Sequence, residues 1–565
     1  MRAGGRAARF ATWILAWILL AAGIAFVAVA ICFSVRFYSI APYADTWDLI
    51  AEVVRNHGRG TPAMLWAQHN EHRMGMTKLL LWADLFWFRG KQYSLIVETF
   101  IAQAVTAFLM IFTVTRLGSW KRAEALAALG VALFCQFYIS QYEIFVWVFV
   151  QVSATYALAT LAYVALARFS ATQRRRWLAV AMGAALLAPL NLAGGLIVWP
   201  VLCFEAWVLR LRSRVLVLLC ACAAVSIKTY LYHYGSPSRF SPWLSLRRPW
   251  DLGHYVLLYF ASVWDAVARP LGYAFAACAI AAVIGWNLWI AIRRDATPLR
   301  VALLSLAGTL VVTGFVTATG RVTLGLEGAT ASRYQTSVLL FWSCIFILSM
   351  DVLLQYAPKL APLLMAAALS TMVFAALQIP SWWKKGKEFD EGVAWYSQPI
   401  LADVNDSFVP IISGDPKHIF ELWGFMRVHG WSLFDTPEYR RLGTRMRDTY
   451  ELSAANRCLG NLDGFEVVPD PSWPGYRVMG WGWDRFAGRA LDRIIITGDT
   501  GKIIGSAAGS FVRGDVKNAV PEVTLAFTGW RGYVSGSLEW KNARAYGELP
   551  GGEEVCAFGG ELARP

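Results

Sequence analysis

Two stretches of this chain concentrate side chains that can do chemistry. The first lies between about residues 34 and 94. It opens Ala41-Pro42-Tyr43-Ala44-Asp45-Thr46-Trp47-Asp48 and continues to Gln68-His69-Asn70-Glu71-His72-Arg73. A carboxylate placed where the dielectric is falling is disfavoured as an anion, so its pKa rises and it can serve as a general base. Asp45 and Asp48 are the candidates. The competing structural reading is that Asp45 caps a helix beginning near Thr46 and Asp48 adds favourable charge to its first turn. His69 and His72 are three apart, which would put them on one helix face. Glu71 beside them suggests a metal site, but the spacing is not His-Glu-x-x-His and marks no third ligand. Hydrogen bonding to phosphate or to sugar hydroxyls suits the His-Asn-Glu-His-Arg run better.

The second stretch is Thr319-Gly320-Arg321 through Ala331-Ser332-Arg333-Tyr334. Arg presents a planar fork of donors matched to phosphate oxygens. Arg333 stands where an apolar run resumes. The alternative is an interfacial anchor shared with Tyr334, since both residue types favour that depth. Arg321 is a second candidate, and Arg239, Arg247 and Arg248 are weaker ones.

The elements that must position these groups are membrane helices. Of 565 residues, 57% are apolar and only 16% charged. Mean hydropathy is +0.45. A soluble globular chain carries about 25% charged residues, so a single soluble domain is excluded, as are disorder, collagen and coiled coil. A crossing helix needs about 20 mainly apolar residues. The first run, about 10–33, follows Arg2, Arg6 and Arg9. It is too long for a signal peptide and precedes no clear cleavage site. Further runs lie near 95–115, 123–140, 146–167, 177–193, 195–210, 214–232, 270–292, 299–318, 336–355 and 360–380. That predicts about eleven spans, with the pair 177–193 and 195–210 short and broken at Asn191 and Gly194-Gly195.

The net charge of +14 does not point to nucleic acid. Much of the basic excess sits in alternate turns: Arg116, Lys121 and Arg122; Arg168 and Arg174 to Arg176; Arg210, Arg212 and Arg214; Arg293, Arg294 and Arg300. This is the positive-inside pattern, and it places the N-terminus in the cytoplasm. All seven histidines (His57, His69, His72, His233, His254, His418 and His429) then face outward. An odd number of spans also exports residues 381–565. Seven of nine cysteines lie in or beside apolar runs. Only Cys458 and Cys556 lie in the tail, where an oxidising compartment suggests one disulfide between them.

The tail reads as two regions. Residues 381–460 are mixed helix and loop, with helical patterns at 416–428 and 437–450. From 461 to 565, short β-rich runs alternate with Gly- and Asp-rich turns: 476–483, 493–497, 502–508, 523–528, 535–540 and 554–558. Gly498-Asp499-Thr500-Gly501 reads as a hairpin turn. The spacing predicts a β-sandwich. Trp473, Trp481, Trp483, Trp530 and Trp540 either fill its core or stack on sugar rings. The fold class is therefore a polytopic α-helical membrane protein, 1–380, with a C-terminal soluble β-sandwich.

An inward N-terminus, an Asp just after the first span in a long outer loop, about eleven spans, a late outer loop with Ser332-Arg333-Tyr334 and an exported C-terminal domain together resemble the GT-C-type glycosyltransferases. These include aminoarabinose transferases and protein mannosyltransferases. The resemblance covers residues 1–380, chiefly as architecture. The family's adjacent acidic pair is absent: Thr46-Trp47 separates Asp45 from Asp48.

The resemblance implies a multi-pass protein of the bacterial cytoplasmic membrane that uses a polyprenyl-phosphate sugar donor. The acceptor would be an envelope glycan, lipid or protein, with no cofactor. Asp45 would be the general base, with Asp48 second. Arg333 would hold the lipid phosphate, with Tyr334, Arg321, His69, Glu71, His72 and Arg73 ordering the loop or touching the donor. The rival readings are an O-antigen ligase or polysaccharide polymerase, which would rely on outer Arg and His, and a lipid or polysaccharide transporter. A transporter should place ionisable groups inside spans, where Glu205 is the main exception to an apolar pattern. The predicted topology has a direct check. A reporter active only in an oxidising compartment should be active when fused after residue 565; activity solely of a cytoplasmic reporter there would reverse it.

Overall fold

The computed structural model describes residues 2–147, 152–235, 245–407, 409, 416–453, 456–470 and 472–565. The chain forms two compact units. The first comprises Met1–Tyr38, Gly60–Leu81 and Tyr93–Gly386; the second comprises Ser39–Arg59, Trp82–Gln92 and Lys387–Pro565. The first outer loop, expected to belong with the membrane part, is thus divided between the two. The helix Gly75–Trp87 crosses the division.

Among the described residues, nine helices of the first unit are long and apolar enough to cross a bilayer. They are Phe10–Phe37, Tyr93–Leu117, Arg122–Val146, Val152–Thr172, Ser213–Leu231, Arg269–Arg293, Pro298–Leu324, Ser332–Tyr356 and Pro358–Leu377. Their outward faces carry large apolar side chains such as Trp17, Ile24, Phe108 and Ile292, which water would penalise and lipid accepts. The protein therefore reads as a membrane protein.

The pair expected at 177–193 and 195–210 takes a different form. It consists of a 13-residue helix, Arg175–Leu187, and an 11-residue helix, Val198–Val208. Two 3-10 turns, Ala188–Leu190 and Ala193–Ile197, join them. Neither helix alone spans about 30 Å of hydrocarbon at 1.5 Å per residue. The local causes are legible. Pro189 has no N–H to continue the helix. Asn191 turns its amide back onto the carbonyl of Leu187 at 3.4 Å. A Cβ on Gly195 would stand 2.3 Å from the carbonyl carbon of Ala188, so the chain folds back tightly there only with glycine.

A second break interrupts Arg122–Phe137 before the one-turn helix Tyr142–Val146. Gln141, fully buried, serves the break. Its Nε2 donates to the carbonyls of Cys135 and Gln136 at 3.2 and 2.7 Å, while its Oε1 accepts from Gln103 Nε2 at 3.1 Å and Thr336 Oγ1 at 2.8 Å. One amide thus satisfies carbonyls that lipid cannot.

In the second unit, the expected mixed region 381–460 begins with a 23-residue helix, Ile379–Leu401, which the sequence pattern did not reveal. The helix Pro416–His429 is as expected. The stretch 437–450 holds only Pro437–Arg441 and a 3-10 turn at Met446–Asp448.

Ten strands follow: β1 (Glu451–Leu452), β2 (Cys458–Val468), β3 (Gly475–Asp484), β4 (Arg489–Ala490), β5 (Arg493–Gly498), β6 (Ile503–Val512), β7 (Phe527–Ser535), β8 (Asn542–Glu548), β9 (Glu554–Ala557) and β10 (Leu562–Ala563). Strands β3, β5, β6 and β9 match expected runs, and the hairpin turn at 498–501 joins β5 to β6 with Gly501 at φ 73°. Strand β2 was missed. The runs expected at 523–528 and 535–540 are displaced, falling largely before and after β7.

The strands lie in one sheet, ordered β1-β9-β8-β5-β6-β7-β3-β2, with β10 on β8 and β4 on β3. The sheet curls so that β2 returns to the segment after β9: Gly559 N–H donates to the carbonyl of Gly460 at 3.1 Å. The enclosed core contains Leu462, Val478, Ile494, Ile496, Val534 and Phe558. Trp483, Trp530 and Trp540 are buried, so they fill core space. Trp473 stacks on Trp423 with ring centroids 4.8 Å apart.

Two interactions hold this unit together. Cys458 on β2 and Cys556 on β9 form a disulfide with Cα atoms 5.7 Å apart, so it staples the two ends of the curled sheet. Asp406, buried, accepts from Arg477 Nε and Nη2, both at 2.8 Å, and from the hydroxyl of Tyr533 at 2.6 Å. Burial pushes the Asp406 carboxyl up, but the bonds from Arg477, Tyr533 and Ser407 outweigh it and hold it below the ordinary carboxylate value.

Each interaction yields an expected outcome. The chain-entropy model gives about 4.7 kcal/mol for a 100-residue loop, and this one closes 98 residues. Replacing both cysteines by Ser should lower the denaturant midpoint of this unit by up to that amount, and reductant should then have no further effect. Asp406→Asn removes the buried carboxylate from Arg477, which keeps the exposed Glu466 at 2.5 Å, and should cost about 1.5–3 kcal/mol, the range for a hydrogen bond to a charged group. The Asp406 contribution is present above the unfolded carboxylate value, about pH 3.9, and is lost as pH falls through the depressed folded value. The wild type should therefore lose stability below about pH 4, and Asp406→Asn should flatten that acid limb in a pH series of unfolding curves.

Candidate functional site

Two arginines of the first unit, Arg333 and Arg321, are each paired with a glutamate. Arg333 sits in the 3-10 turn Ser332–Tyr334, which leads into the helix Gln335–Tyr356. Its backbone N–H donates to Glu143 Oε2 at 2.7 Å, and its Nη1 lies 3.3 Å from Glu143 Oε1. The Glu143 backbone N–H in turn donates to Ser332 Oγ at 3.1 Å. The break at 139–146 is what places Glu143 here. The Arg333 guanidinium also lies over the Tyr334 ring, 5.3 Å from its centroid.

Arg321 ends the helix Pro298–Arg321. Its Nη2 is 3.6 Å from Glu71 Oε1, and His72 Nε2 is 3.8 Å from the same oxygen. His72 Nδ1 accepts from the backbone N–H of Ala193 at 3.2 Å. That bond fixes the neutral tautomer with its proton on Nε2, facing Glu71. The Tyr234 hydroxyl donates to the carbonyl of Glu71 at 3.1 Å. Burial raises the Tyr234 phenol, and Glu71 raises it further while Arg73 opposes.

Tyr255, on the helix Pro249–Ala261, lies within electrostatic reach of both arginines. It is fully buried, and among the described residues its hydroxyl has no hydrogen-bond partner. Burial is the largest influence on the phenol and raises it; Tyr334 adds to the rise, and Arg321 and Arg333 pull it down. Its oxygen lies 3.5 Å from where a Cβ on Gly328 would stand, beneath the 322–334 loop. A buried phenolic donor left unmet costs about 1–3 kcal/mol. Two guanidiniums within electrostatic reach of one unmet O–H suit an anion rich in acceptor oxygens. The pairs with Glu143 and Glu71, at 3.3 and 3.6 Å, are longer than the 2.7–2.9 Å of a tight charge-assisted bond.

The cluster brings together Glu71, His72, Arg321, Arg333 and Tyr334. Other expected residues stand elsewhere. Arg73 is buried, and each of its three nitrogens donates to a carbonyl, those of Tyr230, Trp66 and Tyr232, at 2.7, 2.5 and 2.5 Å. It clamps the loop against the end of the helix Ser213–Leu231. His69 and His72 do not share a helix face. They are the paired ends of a tight turn, each N–H donating to the other's carbonyl at 2.8 Å. Asn70 takes φ 48° at the corner, a conformation Asn accepts more readily than most residues. His69 is buried against Asn70, with its Nε2 3.1 Å from Asn70 Nδ2.

Asp45 and Asp48 lie in the second unit. Asp45 occupies the N-cap position of the helix Thr46–Arg55, but its side chain makes no capping hydrogen bond. Capping therefore does not account for it. Asp48 does sit in the first turn, both aspartates being half-buried. Arg247 and Arg248 are exposed, and Arg239 lies outside the described residues.

Glu143, Tyr234 and Tyr255 were missed by sequence reasoning. Glu143 had a readable signal: it is an acid in the outward turn between two apolar runs. The tyrosines carried none, because nothing local distinguishes them from interfacial aromatics. No family model, curated protein or solved structure matches the chain.

Proposed function

We propose that the chain is a GT-C-like glycosyltransferase of the bacterial cytoplasmic membrane. It takes a sugar from a polyprenyl-phosphate donor and passes it to an envelope glycan, lipid or protein on the outer face. The observation that carries this reading is the unmet Tyr255 hydroxyl within electrostatic reach of Arg321 and Arg333. In this reading the lipid phosphate is held by both guanidiniums and by the phenol. As the glycosidic bond breaks, negative charge grows on the departing phosphate, and donors already aimed at it stabilise that charge most. Asp45 takes the proton of the acceptor nucleophile, with Asp48 second. Glu143 and Glu71 are positioning residues that hold the forks in place.

The eleven-segment topology belongs to the same reading. The broken pair 175–208 preserves parity as two short segments or as one excursion that enters and leaves on one side, so residues 381–565 stand outside. The Cys458–Cys556 disulfide supports that compartment. The curled sheet is read as a sandwich-like domain. A ligase or polymerase would use the same outer arginines, and the donor decides between the readings.

Binding of a short prenyl phosphate, compared with the matching prenol, tests the site directly. The phosphate should bind in preference. Arg333→Ala should weaken it by about one to two decades, the 1.5–3 kcal/mol of a charge-assisted bond. Tyr255→Phe should weaken it by about tenfold, with the protein still folded because the hydroxyl serves no internal partner. Equal binding of the prenol, or an Arg333→Ala protein with wild-type affinity, would sink the phosphate assignment. For the base, Asp45→Asn should abolish sugar transfer while leaving prenyl phosphate binding intact, and Asp48→Asn should do less. Full transfer by Asp45→Asn would remove that residue from the role.

A further inference from the structure

The helical unit contains an acid that sugar transfer does not use. Glu205 lies on the short helix Val198–Val208 and is 0% exposed. Among the described residues neither of its carboxyl oxygens has a hydrogen-bond partner. Ser305, on the helix Pro298–Arg321, lies beside it. Ser305 is buried as well, and its hydroxyl oxygen is likewise unpartnered. Tyr163, on Val152–Thr172, faces Glu205 from the third side. Its hydroxyl shares a 2.6 Å hydrogen bond with Thr309 Oγ1, one turn along from Ser305. Thus Glu205 is enclosed beside polar groups of two further helices, and its two carboxyl oxygens and Ser305 Oγ make no hydrogen bond of good geometry among the described residues.

An isolated carboxylate in such a place is not tolerated, since desolvating the anion costs far more than the fold's margin. It must be neutralised by a cation it holds. Among the described residues no Lys, Arg or His is paired with it. The remaining ionisable neighbour is the Tyr163 phenol, which is neutral. The thiols on the other packed helix, Ser213–Leu231, add no charge: Cys220 lies beside Cys203, with the two sulfurs 3.5 Å apart. Compensation must therefore come from solution. The donors are all hard oxygens, with no imidazole or thiolate among those facing the place, which suits a small hard cation rather than a transition metal. One carboxylate balances one positive charge, so a divalent ion would leave an excess charge in apolar surroundings.

The setting agrees. Helices shortened by an unwound entry, here the 3-10 turn Ala193–Ile197 with Gly194-Gly195, are where membrane proteins place ion sites. Ionisable groups retained at membrane depth mark function by default.

We propose that Glu205, with Ser305, Thr309 and Tyr163, is a binding site for one monovalent cation, either a proton or a sodium ion. The site couples the helix Val198–Val208 to Val152–Thr172 and Pro298–Arg321, and so to the base of the helix that carries Arg321. It goes beyond the sugar-transfer reading and does not rest on it.

Thermal unfolding of the purified full-length protein tests it. One arm replaces N-methylglucamine chloride by sodium chloride at pH 8.5 and constant ionic strength. The other lowers pH from 8.5 to 6 without sodium. Ligands that bind only the folded state raise its midpoint. The wild type should gain several degrees in one arm, and that arm identifies the ion. Glu205→Gln, which keeps the shape and removes the charge, should lose that gain while retaining any shift due to histidines elsewhere. Ser305→Ala breaks no internal bond and should fold. It should require about tenfold more of the same ion for half the effect, the loss of one ligand oxygen. The proposal is overturned if the wild type responds in neither arm. It is also overturned if Glu205→Gln responds as the wild type does, or if Ser305→Ala leaves the half-effect concentration unchanged.

Discussion

Hydrocarbon offers a polypeptide no hydrogen bonds, and most features of the helical unit follow from that one fact. Every backbone group at membrane depth must find a partner within the protein. Long apolar helices meet the demand along their length, and their outward Trp, Ile and Phe side chains need only lipid. The demand becomes specific where a helix stops early. At 138–141 the carbonyls freed by the break would be orphaned, and Gln141 was placed to take them. Its amide acts as a partner in both directions, and Gln103 and Thr336 complete its needs. At 188–197 the solution is different: 3-10 bonds tighten the chain and Gly195 lets it approach Ala188 closely. Irregular backbone is present at depth only where the protein itself encloses it.

Those interruptions are also where the chemistry collects. A continuous helix through 122–146 would not present Glu143 to the Ser332–Tyr334 turn as the break does. His72 takes its orientation from the N–H of Ala193, which a 3-10 turn leaves available. Arg321 and Arg333 stand at the two ends of a loop built from further 3-10 turns. Glu205 follows the unwound entry to its helix. The backbone irregularity that the bilayer tolerates least thus coincides with each group that has polar work to do, which is the economy expected when such breaks persist at a cost in stability.

Composition and the period of the apolar runs made the membrane class and most span positions legible, because lipid forces long apolar helices whatever the tertiary detail. The disulfide followed from a count of cysteines outside the apolar runs. What failed were inferences from local spacing alone. His69 and His72 have helical spacing, but a tight turn at Asn70-Glu71 pairs them across a bridge. Arg73 looked like a phosphate ligand by type, yet three carbonyls from two segments close around it, and no local pattern announces carbonyls that arrive from residues 66, 230 and 232. Strand β2 escaped because Gly460, Asn461, Asp463 and Gly464 give it a turn-like composition; Gly460 is required where Phe558 and the Trp481 carbonyl of β3 come close. The division of residues 39–92 between two units is a tertiary choice that carries no sequence mark.

The contrast between Arg73 and the pair Arg321 and Arg333 shows how a functional arginine can be told from a structural one. All three lie at helix ends or in loops of the helical unit, and all three were plausible by type. A guanidinium whose three nitrogens each donate to a buried carbonyl is committed to holding backbone. A guanidinium set against a carboxylate is oriented by that acid. The acid also lowers the cost of holding the charge at the membrane edge while the site is empty. When an anion arrives it competes with Glu143 or Glu71 for the same fork, and it wins only if it brings more acceptors or finds a further donor. Under the proposed assignment Tyr255 is that further donor, and discrimination rests with the buried phenol, because the arginines attract any anion while only one that reaches Tyr255 satisfies its hydroxyl.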